Sequence, residues 1–120
     1  MNQHMEAYPD FARDLLDRLL SSSFPGCSEL RQQASRAQVR RIESHGAPAF
    51  LFEVPADVPV APVRHRVPVE GQSSDPDGMP IHFLLHVVDG RLSEIEVFRE
   101  DGRQIVNLPS ATEIEVSANA

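Results

Sequence analysis

The segment from Ile81 to Phe98 constrains this chain more than any other stretch. It consists of two β-rich runs around Asp89-Gly90, and an Asp-Gly pair in that position is the strongest short-range signal for a hairpin. On the first run Ile81, Phe83, Leu85 and Val87 share one face. On the second, Ile95 and Val97 are apolar while Glu94 and Glu96 point the other way. A plain two-residue loop would set Leu85 against Glu94 and Phe83 against Glu96. That buries carboxylates in the core at several kcal/mol each. A three-residue loop, Val88-Asp89-Gly90 with Gly in the left-handed region, would pair Phe83 with Ile95 and Ile81 with Val97, and is the expected arrangement. The other face of the hairpin would then set His82 opposite Glu96 and Leu84 opposite Glu94. His86, Leu92 and Phe98 lie on that face too.

A mixed face of this kind, neither plainly polar nor plainly apolar, marks His82, Leu84, His86, Leu92, Glu94, Glu96 and Phe98 as a candidate interaction surface. The alternative is cover by the proline-rich stretch that precedes the hairpin. A second Asp-Gly, Asp101-Gly102, suggests that Gln104 to Leu108 returns as a further strand beside the second one.

Upstream, Phe11, Ala12, Leu15, Leu16, Leu19 and Leu20 recur every three or four residues, predicting an amphipathic helix from about Pro9 to Ser22. Phe24-Pro25-Gly26 ends it. Ser28 is placed to cap a short second helix from Glu29 to about Ala34, with Leu30 and Ala34 facing inward. From Ala37 the period becomes two: strands are expected over Gln38 to Glu43, Ala49 to Val54 and Val63 to Val69. Pro55 to Pro62 forms an extended linker, because Pro cannot donate to a central ladder. Gly71 to Gly78 reads as a polar loop and Glu113 to Val116 as a last short strand. The fold expected is therefore α+β: one domain over residues 1–120, with a helical cap at about 9–35 on a mainly antiparallel, hairpin-rich sheet of four to six strands at about 37–116.

Composition narrows the chemistry. The 120 residues carry a net charge of −7, and all eleven basic residues are Arg. That balance excludes a phosphate-neutralising surface as the main purpose, so nucleic acid is not an expected partner. No run is long enough to span a bilayer, and cytoplasmic residence is the default expectation. With Cys27 as the single cysteine, neither an internal disulfide nor a Cys-based zinc site is available. Cys27 is expected to be a small buried residue.

His82 and His86 are four apart, which on a strand is about 13 Å, too far for one metal ion. Asp75, Asp77 and Asp89 lack calcium-loop spacing and read as turn residues. His65 falls on the apolar face of its expected strand and is the best polar group for a pocket between helices and sheet. No catalytic residue, metal or cofactor is expected.

Phe24-Pro25-Gly26 followed by Glu29-Leu30-Arg31, then Ala37-Gln38-Val39, then Asp89-Gly90-Arg91-Leu92 leading into Glu94-Ile95-Glu96-Val97, together resemble a family of small bacterial single-domain proteins of unknown function. The resemblance implies an α+β domain with N-terminal helices and supplies no activity or functional residue. Some members carry a Cys-Gly-Cys turn near the position of Ser44 to Pro48; this chain does not, so no metal or redox role is borrowed from them. Two functions fit the residues. One is a non-enzymatic binding or regulatory protein that uses the mixed sheet face, either as a homodimer or with a protein partner. The other is a small-molecule binder or enzyme with its pocket under the helices.

Overall fold

A computed structural model describes residues 10–119. Two helices, α1 (Asp10–Leu19) and α2 (Cys27–Ala34), lie on one face of a sheet made of β1 (Gln38–Ser44), β2 (Ala47–Glu53), β3 (Val69–Ser74), β4 (Pro80–Val88), β5 (Arg91–Arg99) and β6 (Glu115–Ala118). The strand order is β1-β2-β5-β4-β3-β6, and every pairing is antiparallel. The expected α+β class is the one observed. The proposed helix start at Pro9 and the chain's first residues fall outside the described residues.

The apolar stripe of α1 does what its spacing dictates. Ala12, Leu15, Leu16 and Leu19 are fully buried, and they meet Leu30 from α2 and Phe50, Ile81, Phe83, Leu85 and Ile95 from the sheet. Burying each such side chain contributes roughly 1.5–3 kcal/mol. The helices are tied end to end, since Arg31 donates from Nε and Nη2 to the Leu20 carbonyl at 3.0 and 2.7 Å. The start of α2 differs from expectation. It opens at Cys27 with Gly26 as its N-cap, in the left-handed region at φ 89°. Ser28 instead bonds the Glu29 carboxylate. A Cβ on Gly26 would lie 2.9 Å from Val63 Cγ1, so glycine serves both the turn and the close approach of the linker.

The central hairpin corrects the expected register. Val88 pairs with Arg91, leaving a two-residue Asp89-Gly90 loop. Both loop residues have positive φ, 52° and 74°, as the primed hairpin turn requires. The face conflict is resolved one step further on. Val87 pairs with Leu92 and His86 with Glu94, so Ser93 is an extra residue in a β-bulge. Beyond it Leu85 pairs with Ile95 and Phe83 with Val97. The apolar residues stay together as expected, but by a bulge within the strand and two residues out of the expected register. Because Ser93 is unpaired, its deletion regularises the ladder without moving any side chain to the other face. A Ser93 deletion is therefore expected to fold, with a thermal midpoint within about 8 °C of the parent by calorimetry. Failure to fold would show that the bulge itself sets the register.

Three other boundaries move. Gly71 to Ser74 is part of β3 and not loop, and β3 begins at Val69, not Val63. Glycine is needed there because a Cβ on Gly71 would stand 2.6 Å from Ile114 Cγ2. Gln104 to Leu108 forms no strand; the neighbour of β5 on its far side is β2. The last strand lies at Glu115–Ala118, after a 3-10 turn at Ala111–Glu113, and Asn119 is anchored by its side chain to the Val67 carbonyl at 2.6 Å.

Candidate functional site

The sheet has two unlike faces. The inner one carries the core, and the helices cover it. The linker also turns to that side: Ala61 belongs to the core, Val63 packs on Gly26, and the Ala61 N–H donates to the Gly90 carbonyl at 2.8 Å. The molecule is 21 Å through its thinnest dimension, the depth of one helical layer on one sheet. The proline-rich segment thus packs on the inner side at Ala61, while at its start the Pro55 and Ala56 carbonyls accept from the Arg91 guanidinium at 3.2 and 3.1 Å.

Strand pairing assembles that outer face in rows across the sheet. One row runs Arg40, Leu51, Glu94, His86. The next runs Glu96, Leu84, Glu70, Ser117, and a third runs Phe98, His82, Gln72, Glu115. Leu51, Leu84 and Phe98 are partly exposed at the centre. Glu53, paired with Gln38, joins the same side. The face therefore interleaves apolar side chains with glutamates: Glu94 and Glu96 stand on β5 between Leu51 of β2 and Leu84 of β4, with Arg40 at one margin.

The histidines are engaged with these carboxylates, though not as expected. His82 sits opposite Phe98 and its ring stacks on it at 5.1 Å, while its Nε2 is 2.9 Å from Glu100 Oε1. His86 sits opposite Glu94 and places Nε2 2.8 Å from Glu96 Oε1. Its Nδ1 is buried with no hydrogen-bond partner among the described residues. Leu84 faces Glu96, not Glu94. Of the seven residues expected on this face, Leu92 is misplaced. The bulge at Ser93 turns it inward, where it is 3% exposed in the core cluster.

Among the described residues the space expected to hold a pocket is packed. The layer between helices and sheet is filled by side chains at 0–1% exposure, among them Leu15, Leu16, Leu30, Phe50 and Phe83. His65, expected to converge there, lies exposed on the linker. A cleft of about 250 Å³ opens instead on the outside of the helix pair, between Arg13, Asp17 and Arg31. Cys27 is buried, and its Sγ donates to the Ser22 carbonyl at 3.1 Å. Burial pushes its thiol up against the opposing pull of Arg31, which is the reverse of nucleophile activation.

Two polar constellations escaped the sequence reading. Gln33 is fully buried on α2. Its Nε2 donates to the Pro59 and Gly90 carbonyls, both at 2.8 Å, and its Oε1 accepts from the Leu92 N–H at 2.9 Å. It therefore joins helix, linker and hairpin tip. The second is Arg99, 5% exposed, at the end of the inner-face series Ile95, Val97, Arg99. Its guanidinium donates to Asp75 at 2.9 Å, to both oxygens of Asp77 at 3.0 and 2.8 Å, and to both of Asp101 at 2.9 and 2.8 Å. All of its donors are used. Asp75 in turn accepts from the Val106 and Asn107 N–H groups, each at 2.9 Å. Burial drives Asp75 up, but the hydrogen bonds from Val106, Arg99 and Asn107 together outweigh it and hold the carboxyl below its ordinary range. Arg99 lowers Asp77 as well, and it brings Asp101 down to about 2. These carboxylates act as a structural clamp. Among the described residues no group of three or more His, Cys, Asp or Glu side chains is placed to hold a metal ion.

The family profile described as "Domain of unknown function (DUF6984)" matches residues 9–109, most of the chain. The chain belongs to the DUF6984 family. No curated protein and no solved structure matches it. The span of the DUF6984 domain contains both helices, β1 to β5, the Arg99 clamp and Gln33; β6 lies beyond it. No helix among the described residues is long and apolar enough to cross a membrane.

Proposed function

We propose that this DUF6984 protein is a non-enzymatic binding module that works through the outer face of its sheet, and that it takes a protein partner presenting arginine or lysine around an apolar contact. The observation that carries this reading is the row structure: Leu51, Leu84 and Phe98 interleaved with Glu94 and Glu96 on the central strands, with Glu53, Glu70 and Glu115 on the same side. Partly exposed apolar side chains alternating with charges of one sign offer both contact area and electrostatic selectivity to a complementary surface. The charge decides the partner's sign. A second copy stacked face to face would set glutamates against glutamates, and nucleic acid would meet the same repulsion, whereas a basic protein surface is complementary.

The test is a titration of the 15N-labelled protein with a synthetic peptide alternating Arg and Leu, followed by amide shifts. Binding is expected to weaken about tenfold in Leu84→Thr, which removes apolar contact while keeping the charge and the strand preference, and to fall as salt is raised. Affinity unchanged in Leu84→Thr would remove the support for this face. Because Leu84 lies outside the core, the same substitution is expected to leave the thermal midpoint within about 4 °C of the parent.

A further inference from the structure

The outer edge of β1 is unpaired among the described residues, since β1 ends the strand order. Its hydrogen-bonding pattern follows from the turn beside it. Ser44 and Ala47 close a two-residue loop, His45-Gly46, with both φ values positive at 54° and 81°. The closing pair of such a loop exchanges both of its hydrogen bonds, and pairs alternate from there. Ser44, Ile42, Arg40 and Gln38 therefore direct their N–H and C=O groups at β2. Glu43, Arg41 and Val39 direct theirs outward, as a free antiparallel template.

We propose that β1 pairs with β1 of a second copy about a two-fold axis at Ile42, joining two sheets into one. Of the antiparallel self-pairings that overlap most of the strand, those centred on Arg40 or Arg41 place an arginine opposite itself. Centring on Ile42 places Ile42 against its copy and Arg41 against Glu43 of the other chain, twice. Those two pairs are also the ones whose backbone groups point outward, so about four backbone hydrogen bonds form in the register that the charges favour. Arg41 and Glu43 already lie together at 3.0 Å, with side chains 48% and 70% exposed and free to be shared with a partner strand. On the helical side Phe11 of α1 packs on Phe50 of β2 and Arg41 lies 5.9 Å over the same ring, while the outer edge of β1 itself pairs with no strand among the described residues. The outer faces of the two copies become continuous, and each keeps Leu51, Leu84 and Phe98 uncovered by the pairing. This inference rests on the edge and not on the outer-face reading, so either stands without the other.

Sedimentation equilibrium of the full chain tests it. A contact this narrow is a weak one, so the average mass is expected to rise reversibly toward that of a dimer between about 10 µM and 1 mM. Arg41→Glu sets glutamate against Glu43 and is expected to shift the dissociation constant at least tenfold toward monomer. The exchanged pair R41E/E43R is expected to restore it. Circular dichroism reports whether each variant is folded, and Glu43→Arg alone carries the same expectation should Arg41→Glu unfold. A parent chain that stays monomeric to about 1 mM overturns the proposal. So does a dimer indifferent to the single substitutions, or one that the exchange does not restore.

Discussion

Arg99→Met is expected to lower the thermal midpoint at pH 7 by about 10 °C or more, measured by calorimetry. The guanidinium is 5% exposed and the Asp75 side chain 0% exposed, so its removal leaves Asp75 buried beside Asp77 without the cation that joins them. Methionine fills the volume and keeps the apolar stem, so the loss reports the charge and its hydrogen bonds. The pH dependence follows from the depressed carboxyls. A group whose folded pKa lies below its unfolded value stabilises the fold above the unfolded pKa, and that contribution is lost as pH falls through the folded pKa. Asp75, Asp77 and Asp101 are all held low, the last to about 2. The difference between parent and Arg99→Met is therefore expected to be full near pH 5 and above, and to shrink progressively toward pH 2. A difference constant with pH would mean that Arg99 acts by packing alone.

Gln33→Leu is expected to cost about 2–4 kcal/mol in urea denaturation, despite placing a better apolar residue at a fully buried site. The leucine leaves the Leu92 N–H without its acceptor and removes the donor to the Pro59 carbonyl. The Gly90 carbonyl keeps a second donor in Ala61, which limits the damage there. A change below about 0.5 kcal/mol would show that the hairpin tip and linker re-satisfy these groups on their own.

The two devices differ in how visible they were along the chain. Arg99 continues a core-facing alternation after Ile95 and Val97, and a charge at a core position near Asp75, Asp77 and Asp101 is a signal that a buried cluster follows. Gln33 gives no such signal. It stands beside the exposed Gln32 on a short helix, and its partners lie 26 to 59 residues away. The hairpin was legible in its faces and not in its mechanism. Matching apolar residues required one extra residue on β5, but nothing local distinguishes a longer loop from a bulge at Ser93, and that choice alone sends Leu92 inward. Gly71 to Ser74 looked like loop because glycine and serine lack strand preference; pairing with β4 on one side and β6 on the other overrides it. Likewise Val106 and Asn107 give their N–H groups to Asp75 instead of to a ladder, so the stretch after Asp101-Gly102 forms no strand. The mixed outer face survives these corrections with Leu51, Glu53, Glu70 and Glu115 added and Leu92 removed.

The acidic outer face, with Leu51, Leu84 and Phe98 among its glutamates, is where a basic partner is expected to bind. The most direct measurement is the amide-shift map of the labelled protein titrated with the Arg–Leu peptide. Shifts are expected to concentrate on the outer-face residues of the central strands, Leu51, Leu84, His86, Glu94, Glu96 and Phe98, with Leu92 and α1 unmoved. Shifts centred on the exposed acidic side of α1, at Asp14 and Asp17, would contradict it.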